Sequence, residues 1–183
     1  WAQHIMGGWY RDGKFGLKQS YVMAAMLFEK AVAQGNPVAM YGLALLYHHG
    51  QGVVQSLQKA SELYTMAAEQ GNVSAMSNLA CMHRDGEGVA QSFQKAAELY
   101  TMAAEQGNVE AMVGLGVQYI HGQGVDQSNQ SAREWWTKAA NEGHENAIKN
   151  LKILDKNEGK STTNTAPTTT AAAPPSICCS SCN

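Results

Sequence analysis

The stretch QKASELYTMAAEQGNV at residues 58–73 returns at 94–109 as QKAAELYTMAAEQGNV, identical at 15 of 16 positions after a shift of 36. A period of this size marks a stacked array of short structural units. The segments Gly50-Gln51-Gly52-Val53, Gly86-Glu87-Gly88-Val89 and Gly122-Gln123-Gly124-Val125 keep the same interval, as do Gln55-Ser56, Gln91-Ser92 and Gln127-Ser128. Three units follow at 39–74, 75–110 and 111–146. An earlier unit at 2–38 fits if Phe15 is a one-residue insertion, which aligns Tyr10-Arg11-Asp12-Gly13 with His83-Arg84-Asp85-Gly86.

Inside a unit the apolar spacing is helical. Leu57, Ala60, Tyr64 and Ala67 recur at steps of 3, 4 and 3, which puts them on one helical stripe. Ser56 can accept from the first free N–H groups and Gly71 can take the left-handed conformation that closes a helix, so the spacing predicts a helix over 57–70. In the other half Asn36 is the N-cap, Pro37 opens the helix, Ala39, Leu43 and Tyr47 form the inner stripe, and Gly50 ends it. Each unit is therefore a helix hairpin. A hairpin alone leaves an apolar face bare, and stacking the next one covers it. Small residues such as Ala39, Ala60, Ala75 and Ala96 allow close approach, while Leu43, Leu79, Leu115, Tyr64, Tyr100 and Trp136 fill the gaps. The expected fold is all-α, a superhelical solenoid of antiparallel hairpins with about four repeats. Ala147 to Leu154 reads as a terminal capping helix with Lys149, Lys152 and Lys156 among its residues, so the array covers 1–156, its cap 147–156. From 157 to 183 the Thr, Ser, Ala and Pro content predicts a disordered tail.

With 183 residues and 44% hydrophobic content, the chain can bury a substantial core. Its net charge of -2 supplies no positive field for phosphate backbones or anionic membranes, so nucleic acid is not an expected partner. No run approaches the roughly 18 apolar residues of a membrane-spanning helix. The chain starts at Trp1, as a fragment or processed product would, and its compartment stays open, with the cytoplasm preferred over the endoplasmic reticulum lumen or secretion.

The pattern Ala-x3-Leu-(Ala/Gly)-x2-Tyr-x2-Gly-x-Gly-Val, then Ser-x2-Lys-Ala-x3-Tyr-x2-Ala-Ala-x2-Gly, resembles the Sel-1-like repeat, a relative of the tetratricopeptide repeat, over residues 2 to about 154. Two positions depart from it: Ser56, Ser92 and Ser128 stand where an acidic residue is common, and His83 stands where Tyr is usual. The resemblance implies a non-catalytic adaptor that holds proteins together, as in ubiquitin-ligase assemblies of the endoplasmic reticulum or bacterial envelope and signalling complexes. A cysteine-rich branch of the family is linked to β-lactam binding and hydrolysis through disulfide pairs within each repeat. That hydrolase is the rival reading, and the lack of those pairs in this sequence speaks against it.

No constellation of residues suggests a catalytic centre, cofactor or metal. His48 and His49 are adjacent on a helix and diverge by about 100°, while His49 and His121 lie two units apart, roughly 20 Å. His48, His49 and His121 instead occupy last turns, where imidazole suits the helix dipole. Cys81 takes the position of Leu45 and Val117, as a packed thiol would. Cys178, Cys179 and Cys182 lie in the tail; Cys179 and Cys182 form a Cys-x-x-Cys without a second ligand pair, and the cluster is open to palmitoylation, which would make a lipid-tethered regulator, or to redox pairing. Trp135-Trp136 aligns with Leu63-Tyr64 and reads as core. Asn72-Val73-Ser74 and Asn129-Gln130-Ser131 are glycosylation sequons that matter only on a secretory route.

The second helices of units two and three are near copies, whereas the first helices read MYGLALLYHH, MSNLACMHRD and MVGLGVQYIH. By the geometry the resemblance implies, the first helices line a concave groove whose expected residues are Arg11, Asp12, Tyr41, Leu45, His48, His49, Ser77, Arg84, Asp85, Val113, Val117 and His121. This mixture of aromatic, apolar and charged groups suits a peptide or protein partner held by a few anchors.

Overall fold

The computed structural model describes residues 2–159, which contain helices and turns and no strand. The tail expected beyond Asn157 lies almost wholly outside these residues. Eight helices form four hairpins: α1 (Ala2–Asp12) with α2 (Tyr21–Val32), α3 (Pro37–His49) with α4 (Leu57–Glu69), α5 (Val73–Asp85) with α6 (Phe93–Glu105), and α7 (Val109–His121) with α8 (Asn129–Asn141). A ninth helix, α9 (Glu145–Asn157), packs on α8 and closes the array.

Two kinds of cap set the helix starts. Asn36, Asn72 and Asn108 accept from the backbone N–H three residues on and open the first helices; Ser20, Ser56, Ser92 and Ser128 do the same for the second helices. Serine is thus an adequate replacement for the acidic residue of the family pattern. The Asn caps also place the structural unit edges just before Pro37, Val73 and Val109, so the divisions at Ala39, Ala75 and Ala111 fall inside helices. A repeat register fixes the period but not its phase.

The recurrent Gln-Ser pair has two jobs. While the serine caps, the preceding Gln19, Gln55, Gln91 and Gln127 each donate a 2.8 Å side-chain hydrogen bond to a carbonyl in the last turn of the first helix. First helices end on left-handed Gly50, Gly86 and Gly122, and the second glycine of each turn, Gly52, Gly88 and Gly124, also has positive φ, near 70°. A Cβ added at these second glycines would fall onto the backbone of Tyr21, Leu57 and Phe93, where the preceding unit's second helix begins. The turn is therefore an inter-unit joint. The insertion at Phe15 carries the one positive φ of a non-glycine among the described residues, 56°, and its ring lies 4.6 Å from that of Trp9.

Aromatic wedges hold neighbouring helices apart at fixed spacing. Phe28, Tyr64, Tyr100 and Trp136, one per second helix, are all buried. Phe28 sits against Gly42 and Tyr100 against Gly114, where an added Cβ would come within 2.8 and 2.7 Å of the ring. At the equivalent position before Tyr64 the residue is Asn78, and its Nδ2 donates to the Tyr64 hydroxyl at 3.2 Å. Successive first helices touch, α1 with α3 and α5 with α7, whereas no two successive second helices pack as closely. That is the packing of an array with its first helices on the inner side.

Candidate functional site

The residues expected to line the groove do not all reach the surface. Arg11, Tyr41, Leu45, His48, His49, Arg84 and Val117 are half-buried, and Asp12, Asp85 and His121 are exposed. Ser77 and Val113 are only 2% and 3% exposed and belong to the packing. They share a helical position with Tyr41, whose long ring reaches Tyr64 at 5.9 Å between centroids, whereas a hydroxymethyl or isopropyl group is too short to emerge.

Charge on this face is paired locally. Arg11 holds Asp12 and Arg84 holds Asp85, each with one N–O distance of 2.7 Å. The Arg11 hydrogen bond keeps the Asp12 carboxyl below the usual carboxylate range, and the same bond raises the Arg11 guanidinium. Each arginine thereby spends its charge on its neighbour, so the face has little net field. Between the two pairs lie His48 and His49, with rings 4.9 Å apart. Burial lowers the His48 pKa, the His49 charge lowers it further, and Glu87 acts the other way. No group of three His, Cys, Asp or Glu among the described residues is placed to hold a metal ion.

A polar relay in unit three was not legible in the sequence. Arg84 Nη1 donates to the Tyr100 hydroxyl at 3.2 Å, and that hydroxyl donates to Cys81 Sγ at 3.1 Å. Tyr41, Tyr64, Asn78, Arg84 and Tyr100 each make a further contact in addition to these. Cys81 is partly buried and packs against the core as its position suggested, but it is disulfide-bonded and not a thiol. The alignment with Leu45 and Val117 gave the slot but not the oxidation state.

Other expected sites take structural roles. Trp136 is buried and its indole N–H donates to the Val113 carbonyl at 3.1 Å, while Trp135 lies under the Lys138 ammonium at 3.9 Å. Both sequon asparagines are engaged, Asn72 as a cap and Asn129 with Glu158. His83, in place of the usual Tyr, borders a pocket of about 360 Å³ with Leu79, Lys95, Leu99 and Met102. In unit two the ring of Tyr47 occupies the matching position beneath Lys59. The cysteines of the tail lie outside the described residues.

Helix hairpins in 36-residue register, joined by glycine turns and wedged by aromatics, define an α-solenoid repeat protein. The Sel1 repeat pattern matches residues 2–36, 37–72, 73–108 and 109–144, and the chain belongs to the Sel1 repeat family. Solved structures similar to it include two Sel1-type proteins. One is c5321, a protective antigen of uropathogenic Escherichia coli strains displaying an SLR fold, with 32% identity, TM-score 0.81, and coverage of 86% of this chain and 33% of that one. The other is a Sel1 repeat protein from Oxalobacter formigenes, with 27% identity, TM-score 0.81, and coverage of 86% and 62%. The chain thus spans a third and about three fifths of the lengths of these neighbours. No curated protein matches the sequence.

Proposed function

We propose that the chain is a non-catalytic scaffold that seats a protein partner on the face of its first helices. Sel1 repeat proteins are generally protein-interaction scaffolds. The observation that carries the finer reading is the division of labour inside the repeat. The second helices α4 and α6 are near copies that pack, whereas the first helices vary at equivalent half-buried or exposed positions: Arg11-Asp12, His48-His49, Arg84-Asp85 and Ile120-His121. A surface built on one frame with three different side-chain sets, the Arg-Asp pair occurring twice, suits recognition of an extended or helical protein segment through a few anchors.

Partner binding on this face is tested by placing a photo-crosslinking residue at Leu45, Val117 or His121 and comparing yields with the same residue at Gln58 or Glu98 on the second helices. Crosslinks from the first-helix positions alone support the proposal; crosslinks from the second-helix positions alone contradict it. The rival hydrolase reading is tested with nitrocefin, for which this account expects no turnover above buffer.

A further inference from the structure

We infer that the groove between the second helices α4 and α6 is a separate ligand site, one that takes a small uncharged phenol. The floor of this pocket of about 360 Å³ is Met76, Leu79 and His83 of α5, and its walls include Ala68 of α4 with Leu99 and Met102 of α6. That volume lies at the lower end of the roughly 300–1,000 Å³ that small-molecule sites span.

The repeat register explains why the groove is open in unit three. Compared with unit two, Ala68 and His83 stand at the positions of Val32 and Tyr47; compared with unit four, His83 and Leu99 stand at those of Tyr119 and Trp135. Unit three therefore has the smaller side chain at two wall or floor positions in each comparison. The neighbouring units supply aromatic rings of their own, each beneath a cation. Tyr47 lies 5.1 Å under the Lys59 ammonium, and Trp135 lies 3.9 Å under that of Lys138. Lys95 is the counterpart of Lys59 and borders the open pocket, so a ring entering beside His83 meets the same kind of cation.

The hydroxyl has an acceptor as well. His83 Nδ1 lies 3.3 Å from the Ala90 carbonyl, which can only accept, so Nδ1 carries the proton of that bond. Nε2 of the uncharged ring is then the site that accepts from a phenol O–H. Met76 and His83 are seven residues apart on α5, a rise of about 10 Å, which leaves room for a substituent opposite the hydroxyl. Exposed Glu69, Lys95 and Glu98 border the pocket with one positive and two negative charges, which disfavours an anionic ligand. A docked protein segment would take these charges out of water at a cost, whereas a small molecule leaves them hydrated.

The test is an NMR titration of the full chain, labelled at its methionine methyl groups, with p-cresol. The Met76 and Met102 methyls should shift saturably, and Met40 and Met112, the counterparts of Met76 in the adjoining units, far less. His83→Tyr, which installs the residue that units two and four carry, should weaken the apparent affinity at least tenfold. Lys95→Met should weaken it about two- to fivefold, and 4-hydroxybenzoate should bind less well than p-cresol. Absence of saturable shifts, equal shifts at Met40 and Met112, or a tighter complex with 4-hydroxybenzoate overturns the inference. So does an unchanged titration in His83→Tyr with native circular dichroism or, should that variant misfold, in Lys95→Met, whose side chain is exposed. A Gly-Tyr-Gly amide that saturates the same methyls at lower concentration than p-cresol assigns the groove to a partner's tyrosine and overturns the small-molecule site. None of these outcomes bears on the first-helix face, which crosslinking tests separately.

Discussion

Three side chains show how a repeat sets the fate of a single residue. Gly114 lies under the Tyr100 ring, so Gly114→Ala places a methyl 2.7 Å from it and should destabilise by about 1–3 kcal/mol in urea unfolding. Gly8→Ala is the contrast, because nothing lies within 4 Å of its Cβ; it should be neutral or stabilise by up to about 1 kcal/mol. Equal losses at the two would remove the wedge argument. Gln118 takes the slot of Leu46 and Met82, is fully buried, and neither its Nε2 nor its Oε1 has a hydrogen-bond partner. Gln118→Met should therefore raise stability by roughly 1–3 kcal/mol, whereas a destabilised variant would mean that buried water satisfies the amide. His48 binds a proton less readily folded than unfolded, because its pKa is lowered from the ordinary 6.5. Between the two values the unfolded chain holds more protons, so stability is full above the unfolded pKa and declines as pH falls through it. Thermal melts at neutrality and below about pH 6.5 should show a smaller acid loss for His48→Gln than for the natural chain. An equal loss in both contradicts the lowered pKa.

At the scale of elements the joint between units is the decisive feature. Gly88→Val combines a β-branched residue at φ 69° with a clash onto the Leu57 backbone, and should cost more than about 1 kcal/mol. Glu87→Val, one residue earlier and exposed, should stay within about 0.5 kcal/mol. If the two cost the same, the turn is merely a linker. Helix positions were legible because the starts of α2 to α8 carry Ser or Asn and α3, α5 and α7 end on glycine, signals that act locally. The predicted helix over 57–70 is observed at Leu57–Glu69. The partner of each turn glycine was not legible, since it lies in the preceding unit and the sequence shows only that the glycine recurs. The Gln half of the Gln-Ser pair was visible as a repeat but silent as to its bond, because a side-chain to carbonyl staple leaves no periodic signature.

Across the whole molecule, the array turns a 36-residue duplication into a surface on which equivalent positions differ. Of the residues that the family resemblance led us to expect on that surface, Ser77 and Val113 are buried, because whether a slot emerges depends on side-chain length as well as phase. The Arg84–Tyr100–Cys81 relay escaped for another reason: its members are separated by 16 and 19 residues and meet only once α5 and α6 have paired as a hairpin. The paired charges predict that partner affinity weakens only modestly with salt. The most direct measurement of the central claim is capture of a crosslink-identified, purified partner by two variants with matched circular dichroism. One replaces Tyr41, His48, His49, Arg84 and Asp85 by Ala; the other replaces Gln58, Glu62, Gln94 and Glu98, all exposed on the second helices. The account predicts that the first loses the partner and the second keeps it; a first variant that binds as the natural chain does, with binding lost from the second, would contradict it.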